Sequence, residues 1–240
     1  MKTLKTIAVL FLLAITLNAQ TFTASGDNRN QATFESNAPL EDIVGVSNEV
    51  EAVAMINPAD LSHAMGKVSV NLNVLKTGID LRDEHLRGEM WLNTAKFPNA
   101  EFKLNNISGA SSLTDSKATD VKLHGTFTVH GVTKDLVADA KLTYFKESER
   151  TKAKMAGNLL KVKATFEIKL GDYGVMIPKM VVGKLDENIK VSVAFIATDA
   201  GNKMAGNPCG PNPCSPDMHK DGNPCSPKMD KGACNPCSPN

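Results

Sequence analysis

The side chains best equipped for chemistry in this 240-residue chain are its five cysteines, and all lie beyond position 208. They fall in a degenerate repeat: Asn207-Pro208-Cys209-Gly210-Pro211, Asn212-Pro213-Cys214-Ser215-Pro216, Asn223-Pro224-Cys225-Ser226-Pro227 and Asn235-Pro236-Cys237-Ser238-Pro239, with Cys234 just before the last unit. A thiolate can be a nucleophile, a metal ligand or a disulfide partner, and three readings stay open. In an oxidising compartment the thiols form disulfides; five cannot all pair within one molecule, so one stays free or links two chains into a homodimer. Alternatively, Cys234-x-x-Cys237 has ligand spacing for Zn²⁺ or Cu⁺, with Cys209, Cys214, Cys225 and His219 as further donors. Thirdly, the tail is a low-complexity spacer or attachment segment. Cys234-Asn235-Pro236-Cys237 lacks the βαβ surroundings of a thioredoxin site and precedes no histidine, which argues against covalent haem.

The rest of the chain is poor in reactive groups. It has no cysteine and four histidines, His63, His85, His124 and His130. His124 and His130 share one face of a strand pattern but lie roughly 20 Å apart along it, too far to share a metal. No G-x-S-x-G, H-E-x-x-H or phosphate-cradling glycine loop is present. One dense polar cluster stands out, Asp80-Leu81-Arg82-Asp83-Glu84-His85-Leu86. It reads either as a solvated helix start, capped by Asp80 or Asp83, or as a polar rim at the mouth of a cavity. In the second case Arg82, Asp83 and His85 face a ligand's head group, and Arg82 pairs with a phosphate or hydrogen-bonds a quinone-type oxygen. Nothing pairs a nucleophile with a base, so the expectation is a protein without catalysis or a required cofactor.

The elements that position these residues begin with the chain's ends. Lys2 and Lys5 precede the apolar run Ile7 to Leu17, and Leu17-Asn18-Ala19 closes as a cleavage site, so residues 1–19 read as a secretory signal peptide. The run is too short to cross a bilayer as a helix, which takes about 20 apolar residues. The expected location is periplasmic or secreted. Cleavage removes two lysines and no acid, turning 27 basic against 26 acidic residues into 25 against 26. So neutral a chain has no electrostatic footprint for nucleic acid or an anionic membrane. From 201 to 240 the composition turns to Asn, Pro, Gly, Ser, Asp and Cys, which excludes a packed core and reads as a disordered or turn-rich tail.

Between the ends, residues 20–200 suffice for one domain. Apolar and polar residues alternate strictly in Gly66 to Lys76, Asp120 to His130 and Leu160 to Leu170, the mark of antiparallel strands with one dry face. Asn30 to Ser36, Glu49 to Asn57, Glu101 to Ile107, Leu136 to Phe145 and Asn188 to Thr198 fit less cleanly and bring the number to eight. Most connections are short and turn-rich, as hairpins need. Asp80 to Lys96 is longer, rich in helix formers, and predicts a short helix between the third and fourth strands. Phe145 to Asn158 reads as a charged loop. Eight such strands close into an all-β up-and-down barrel with room for packed side chains or one small ligand, or stack as a β-sandwich; the pattern favours the barrel without separating the two.

Two stretches add a resemblance. Thr77-Gly78-Ile79-Asp80-Leu81-Arg82-Asp83-Glu84-His85-Leu86 with Lys96-Phe97-Pro98-Asn99-Ala100-Glu101-Phe102, and then Gly125-Thr126-Phe127-Thr128-Val129-His130-Gly131-Val132-Thr133-Lys134, resemble in order and spacing the signatures of the YceI-like family of bacterial lipid- or polyisoprenoid-binding proteins. The likeness runs over roughly Thr21 to Asp199. Where such proteins open with a His-Ser-type stretch and a V-x-G-x-F turn, this chain has Asn37 to Ser47. The resemblance implies a lipocalin-like barrel of eight antiparallel strands. It also implies a long apolar cavity for an isoprenoid chain, such as a quinone tail or polyprenyl phosphate, or for a fatty acyl chain, and no catalysis. Each methylene withdrawn from water contributes about 0.8 kcal/mol, so such a ligand needs few polar contacts. The inward candidates for the cavity wall are Phe34, Val70, Leu72, Phe102, Leu104, Phe127, Phe166 and Phe195. A carrier or sequestering protein for a long-chain lipid is therefore expected. The alternative is a metal-binding or thiol stress protein that uses the cysteine tail and keeps the barrel as scaffold.

Overall fold

A computed structural model of the chain describes residues 19–25 and 29–203. The expected signal peptide, apart from Ala19, and the cysteine tail beyond Lys203, with Cys209, Cys214, Cys225, Cys234 and Cys237, lie outside the described residues.

Ten strand segments form one antiparallel sheet: β1 (Gln20–Ala24), β2 (Gln31–Asn37), β3 (Asp42–Ser47), β4 (Val50–Asn57), β5 (Asp60–Asn71), β6 (Asn99–Ser108), β7 (Ala118–Val129), β8 (Val132–Phe145), β9 (Leu159–Lys169) and β10 (Asn188–Thr198). From β4 to β10 every neighbour in space is a neighbour in sequence, and β1 pairs with both β4 and β10, which closes the sheet. The ten segments occupy only eight places. β1 and β2 follow one another along β10, and β3 and β4 follow one another along β2 and β1. The described residues thus form a closed eight-stranded barrel, and the sandwich alternative falls away because one sheet has no second sheet to face.

The breaks in the two divided strands are held by buried polar side chains. Asn30 bridges the first break: its Nδ2 donates to the Ser25 carbonyl and its Oδ1 accepts from the Ile196 amide. At the second, Ser47 Oγ donates to the Asn71 carbonyl, while Val46 and Lys76 exchange backbone bonds that carry the ladder past the end of β5. These contacts replace ladder bonds that would otherwise go unmade in a buried setting. The segments β1 and β3 had no strand assignment from the sequence. β1 offers a single large apolar residue, Phe22, and β3 interrupts its alternation with Gly45.

Strand ends elsewhere differ from the periodicity by a few residues, most of all at β5, which starts at Asp60 and ends at Asn71. Within the long 72–98 connection, helix α1 (Asp80–Arg87) takes up the first half of the helix-forming stretch, and turns take up the rest. The charged loop after β8 contains a single helical turn, α2 (Glu149–Lys152), with a reciprocal Ser148–Thr151 capping box. The loop is tied to the residue after β10 where the Asn158 amide and Nδ2 donate to Asp199. A last helical turn, α3 (Ala200–Lys203), follows β10.

Candidate functional site

Inside the barrel the dry faces of the strands do two different things. Toward the end that carries the 109–117 and 146–158 loops they fill the interior. Phe22, Leu61, Leu142 and Leu160 are essentially fully buried, and the Phe22 ring meets Tyr144 edge-on at 6.3 Å. Toward the other end they stand apart around a cavity of about 950 Å³, near the upper end of the range for small-molecule sites. Small residues on the inward positions make the space: Ala32, Ala100, Ala138 and Ala164 all lie on its wall.

Of the residues expected to line it, Phe34, Val70, Leu72, Phe102, Phe127, Phe166 and Phe195 do so. They come from β2, β5 and the residue after it, β6, β7, β9 and β10, so the cavity is a property of the closed barrel and of no single hairpin. Leu104 is not on this wall; it packs against the core beside a β6–β7 register shift, where the wall has already moved on. The aromatic side is locked by edge contacts, with Phe127 5.1 Å from Phe166 and 5.7 Å from Tyr173. Burial, with the charge of Asp172 beside it, pushes the Tyr173 phenol up and keeps it neutral. Phe34 reaches the wall because Gly45 opposite it has no side chain: a Cβ there would lie 2.0 Å from the Phe34 ring.

Much of the lining was not legible from strand alternation. Ile79, Leu81, Leu86, Met90, Trp91 and Leu92 come from α1 and its flanks, and Val175, Pro178, Val181 and Leu185 from the 170–187 connection. The i, i+4 spacing of Leu86 and Met90 was the only signal of the first group; the second lies in irregular backbone with no period to read.

Polar groups gather at the mouth, where Glu41, Thr77, Arg82, Glu84, His85 and Lys184 join the lining. Arg82 bonds to protein through all three of its guanidinium nitrogens: Nη1 donates to Glu41 Oε1 at 2.6 Å, Nε to Thr77 Oγ1 at 2.9 Å and Nη2 to the Thr77 carbonyl at 3.1 Å. It therefore ties α1 to the β2–β3 turn across the opening. Asp83 is not on the wall. Buried beneath the helix, it accepts from the Thr77 amide at 2.7 Å and the Thr77 hydroxyl at 2.6 Å. Neither it nor Asp80 caps α1, whose N-cap, Ile79, has no side-chain bond. Burial alone would raise the Asp83 carboxyl; the Thr77 hydroxyl and amide, with the charges of Lys76 and Arg87, outweigh it and hold the group below its ordinary range. His85 stands on the wall near Arg82 in sequence and space, so of the three expected rim residues two face the cavity.

The other histidines have local partners: His63 with Ser62 at 2.8 Å, His124 with Ser108 at 2.7 Å, and His130 with the Tyr173 carbonyl at 3.0 Å. Among the described residues no group of three or more His, Cys, Asp and Glu side chains is close enough to hold a metal ion. The arrangement can enclose an apolar chain on all sides and leave its polar end among charged and hydroxyl groups.

The family model for the YceI-like domain matches residues 23–197, which is nearly the whole barrel. The chain belongs to the YceI-like family. Among similar proteins, a UPF0312 protein of Shewanella denitrificans is 28% identical over 151 residues, 63% of this chain and 72% of that one. A UPF0312 protein of Enterobacter is 40% identical over 75 residues, 31% of this chain and 35% of its own length. Solved structures share the fold of this YceI-like chain. A polyisoprenoid binding domain from Saccharophagus degradans superposes with a TM-score of 0.58 at 15% identity, over 75% of this chain and 98% of that one. The Campylobacter jejuni YCEI protein gives a TM-score of 0.51 at 21% identity, over 63% and 82%.

Proposed function

We propose that this YceI-like chain is an exported, non-catalytic carrier or sequestering protein that holds one isoprenoid or other long-chain lipid in its barrel. The observation that carries this reading is the cavity: about 950 Å³ walled by Val, Leu, Ile, Phe and Ala from eight strands, with charged groups only at its mouth. Burial of an apolar chain there gains affinity with every methylene, about 0.8 kcal/mol each, without any specific polar contact. A quinone-type or acyl lipid places its head beside Thr77, His85 and Lys184. The kinship supports the same class of ligand, since the Saccharophagus domain of like fold is named for polyisoprenoid binding. Export to the periplasm or beyond is supported by Lys2, Lys5 and the apolar Ile7 to Leu17 ahead of Ala19.

Native mass spectrometry of the protein from its own host, followed by organic extraction, tests the proposal. A discrete added mass of isoprenoid or acyl type is expected. Phe102→Asp, which places a charge on a half-buried stretch of wall, should lose that mass while keeping the barrel's circular dichroism; a folded Phe102→Asp that still carries the lipid would sink the carrier reading.

A further inference from the structure

The cavity's open end carries an unusual share of the chain's exposed apolar surface. Eleven large apolar side chains are strongly exposed among the described residues, and six of them frame the mouth: Leu40, Ile79, Leu81, Met90, Met176 and Val182. They come from three segments that are bound to one another there. The Leu40 amide donates to the Gly183 carbonyl at 2.9 Å, and Glu41 takes the Arg82 guanidinium. Ile79, Leu81 and Met90 belong to the cavity wall as well as to the rim, so the apolar lining continues onto the surface beside the polar groups of the mouth. The chain's one tryptophan, Trp91, lies in the same wall beside Met90.

We infer that this rim is a docking face for a lipid bilayer, into which it inserts so that the cavity opens directly onto the acyl region. The inference rests on the carrier reading, and continuity with the cavity is what selects the occupant. A long apolar chain drawn through water loses about 0.8 kcal/mol for each methylene exposed, and a mouth seated in the bilayer removes that barrier. Contiguous exposed apolar surface with a polar surround is the expected form of a membrane contact, and tryptophan favours the interface between headgroups and chains. The charges exclude a different mode of attachment. The segments 38–42, 79–90 and 176–184 carry six carboxylates, on Glu41, Asp42, Asp80, Asp83, Glu84 and Glu89, against the four cations Arg82, Arg87, Lys179 and Lys184. Insertion is therefore apolar, needs no anionic lipid and resists salt, unlike a polybasic surface site.

The test is flotation of the whole purified chain with phosphatidylcholine vesicles at low and high salt, read with the emission of Trp91. The wild type should float at both salts and its emission should shift to the blue. Leu40→Asp, Met176→Asp and Val182→Asp together should cut flotation at least tenfold. All three are exposed and off the cavity wall, so uptake of a fluorescent isoprenoid-chain probe from solution should be kept. A wild type that takes the probe but stays off the vesicles overturns the inference, as does a triple variant that floats like wild type. So does a wild type that forms a dimer which the triple substitution separates, because the rim would then be covered by a second copy. Flotation that depends on the rim in a chain refusing the probe would support the docking face and count against the carrier reading alone.

Discussion

At the residue scale, two residues set the shape of the site without touching a ligand. Asp83 anchors the start of α1 by accepting two bonds from Thr77, in a position almost sealed from solvent. Hydrogen bonds to a charged group contribute about 1.5–3 kcal/mol, offset here because the second carboxylate oxygen is buried without a partner. Asp83→Ala should lower stability by about 1–2 kcal/mol in urea titration, and Asp83→Asn, which keeps one acceptor, by less. The pH dependence has a definite sign. The folded carboxyl titrates below its ordinary 3.8, so its contribution is complete above that value and is lost as pH falls through the lower, folded one. Trp91 emission followed through acid titration should report α1 loosening only below the ordinary carboxylate range, and Asp83→Asn should abolish that step. Gly45 is the second. A side chain there would push the Phe34 ring into the cavity, so Gly45→Val should cost about 1–3 kcal/mol as an overpacked site and weaken binding of an isoprenoid-chain probe in fluorescence titration.

At the element scale, α1 and the 170–187 connection complete a wall that the strands leave open. The helix is short, its N-cap has no side-chain bond, and what holds it is tertiary: Asp83 to Thr77 beneath, and Arg82 to Glu41 across the mouth. The Arg82–Glu41 pair is partly exposed, so it adds at most about 1 kcal/mol to stability. Its effect should be on exchange. Glu41→Gln should leave the melting temperature almost unchanged and raise the rate of lipid release by about fivefold, the equivalent of 1 kcal/mol; stopped-flow displacement of a fluorescent lipid measures it. The strands themselves were largely legible, because a barrel wall with one dry and one wet face writes a period of two into the sequence. The divided strands were not: β1 and β3 are short, their partners, Met55 for Thr21 and Phe34 for Gly45, lie on neighbouring segments, and Asn30 and Ser47 hold the breaks at their ends.

At the scale of the whole molecule, one barrel is divided between a packed end that stabilises and an open end that binds. The division predicts opposite consequences for two phenylalanines. Phe22→Ala in the packed end should cost about 3–5 kcal/mol by chemical denaturation and leave the lipid content of the folded fraction unchanged. Phe102→Ala on the cavity wall should cost markedly less stability, since the space behind it is already empty, and reduce affinity for an isoprenoid-chain probe. The sequence by itself determined that the chain is all-β, how many strand places it has, which parity faces inward, and which family its two motifs resemble, because alternation and turn chemistry are local properties of neighbouring residues. It marked seven of the cavity's aromatic and aliphatic wall positions for the same reason. Only the tertiary structure decided that the interior is half filled and half hollow, that Leu104 and Asp83 stand off the cavity, and that Arg82 bridges the mouth. Those outcomes depend on strand register, barrel closure and the placing of two irregular connections, which bring together residues far apart in the chain and leave no periodic trace in any one segment.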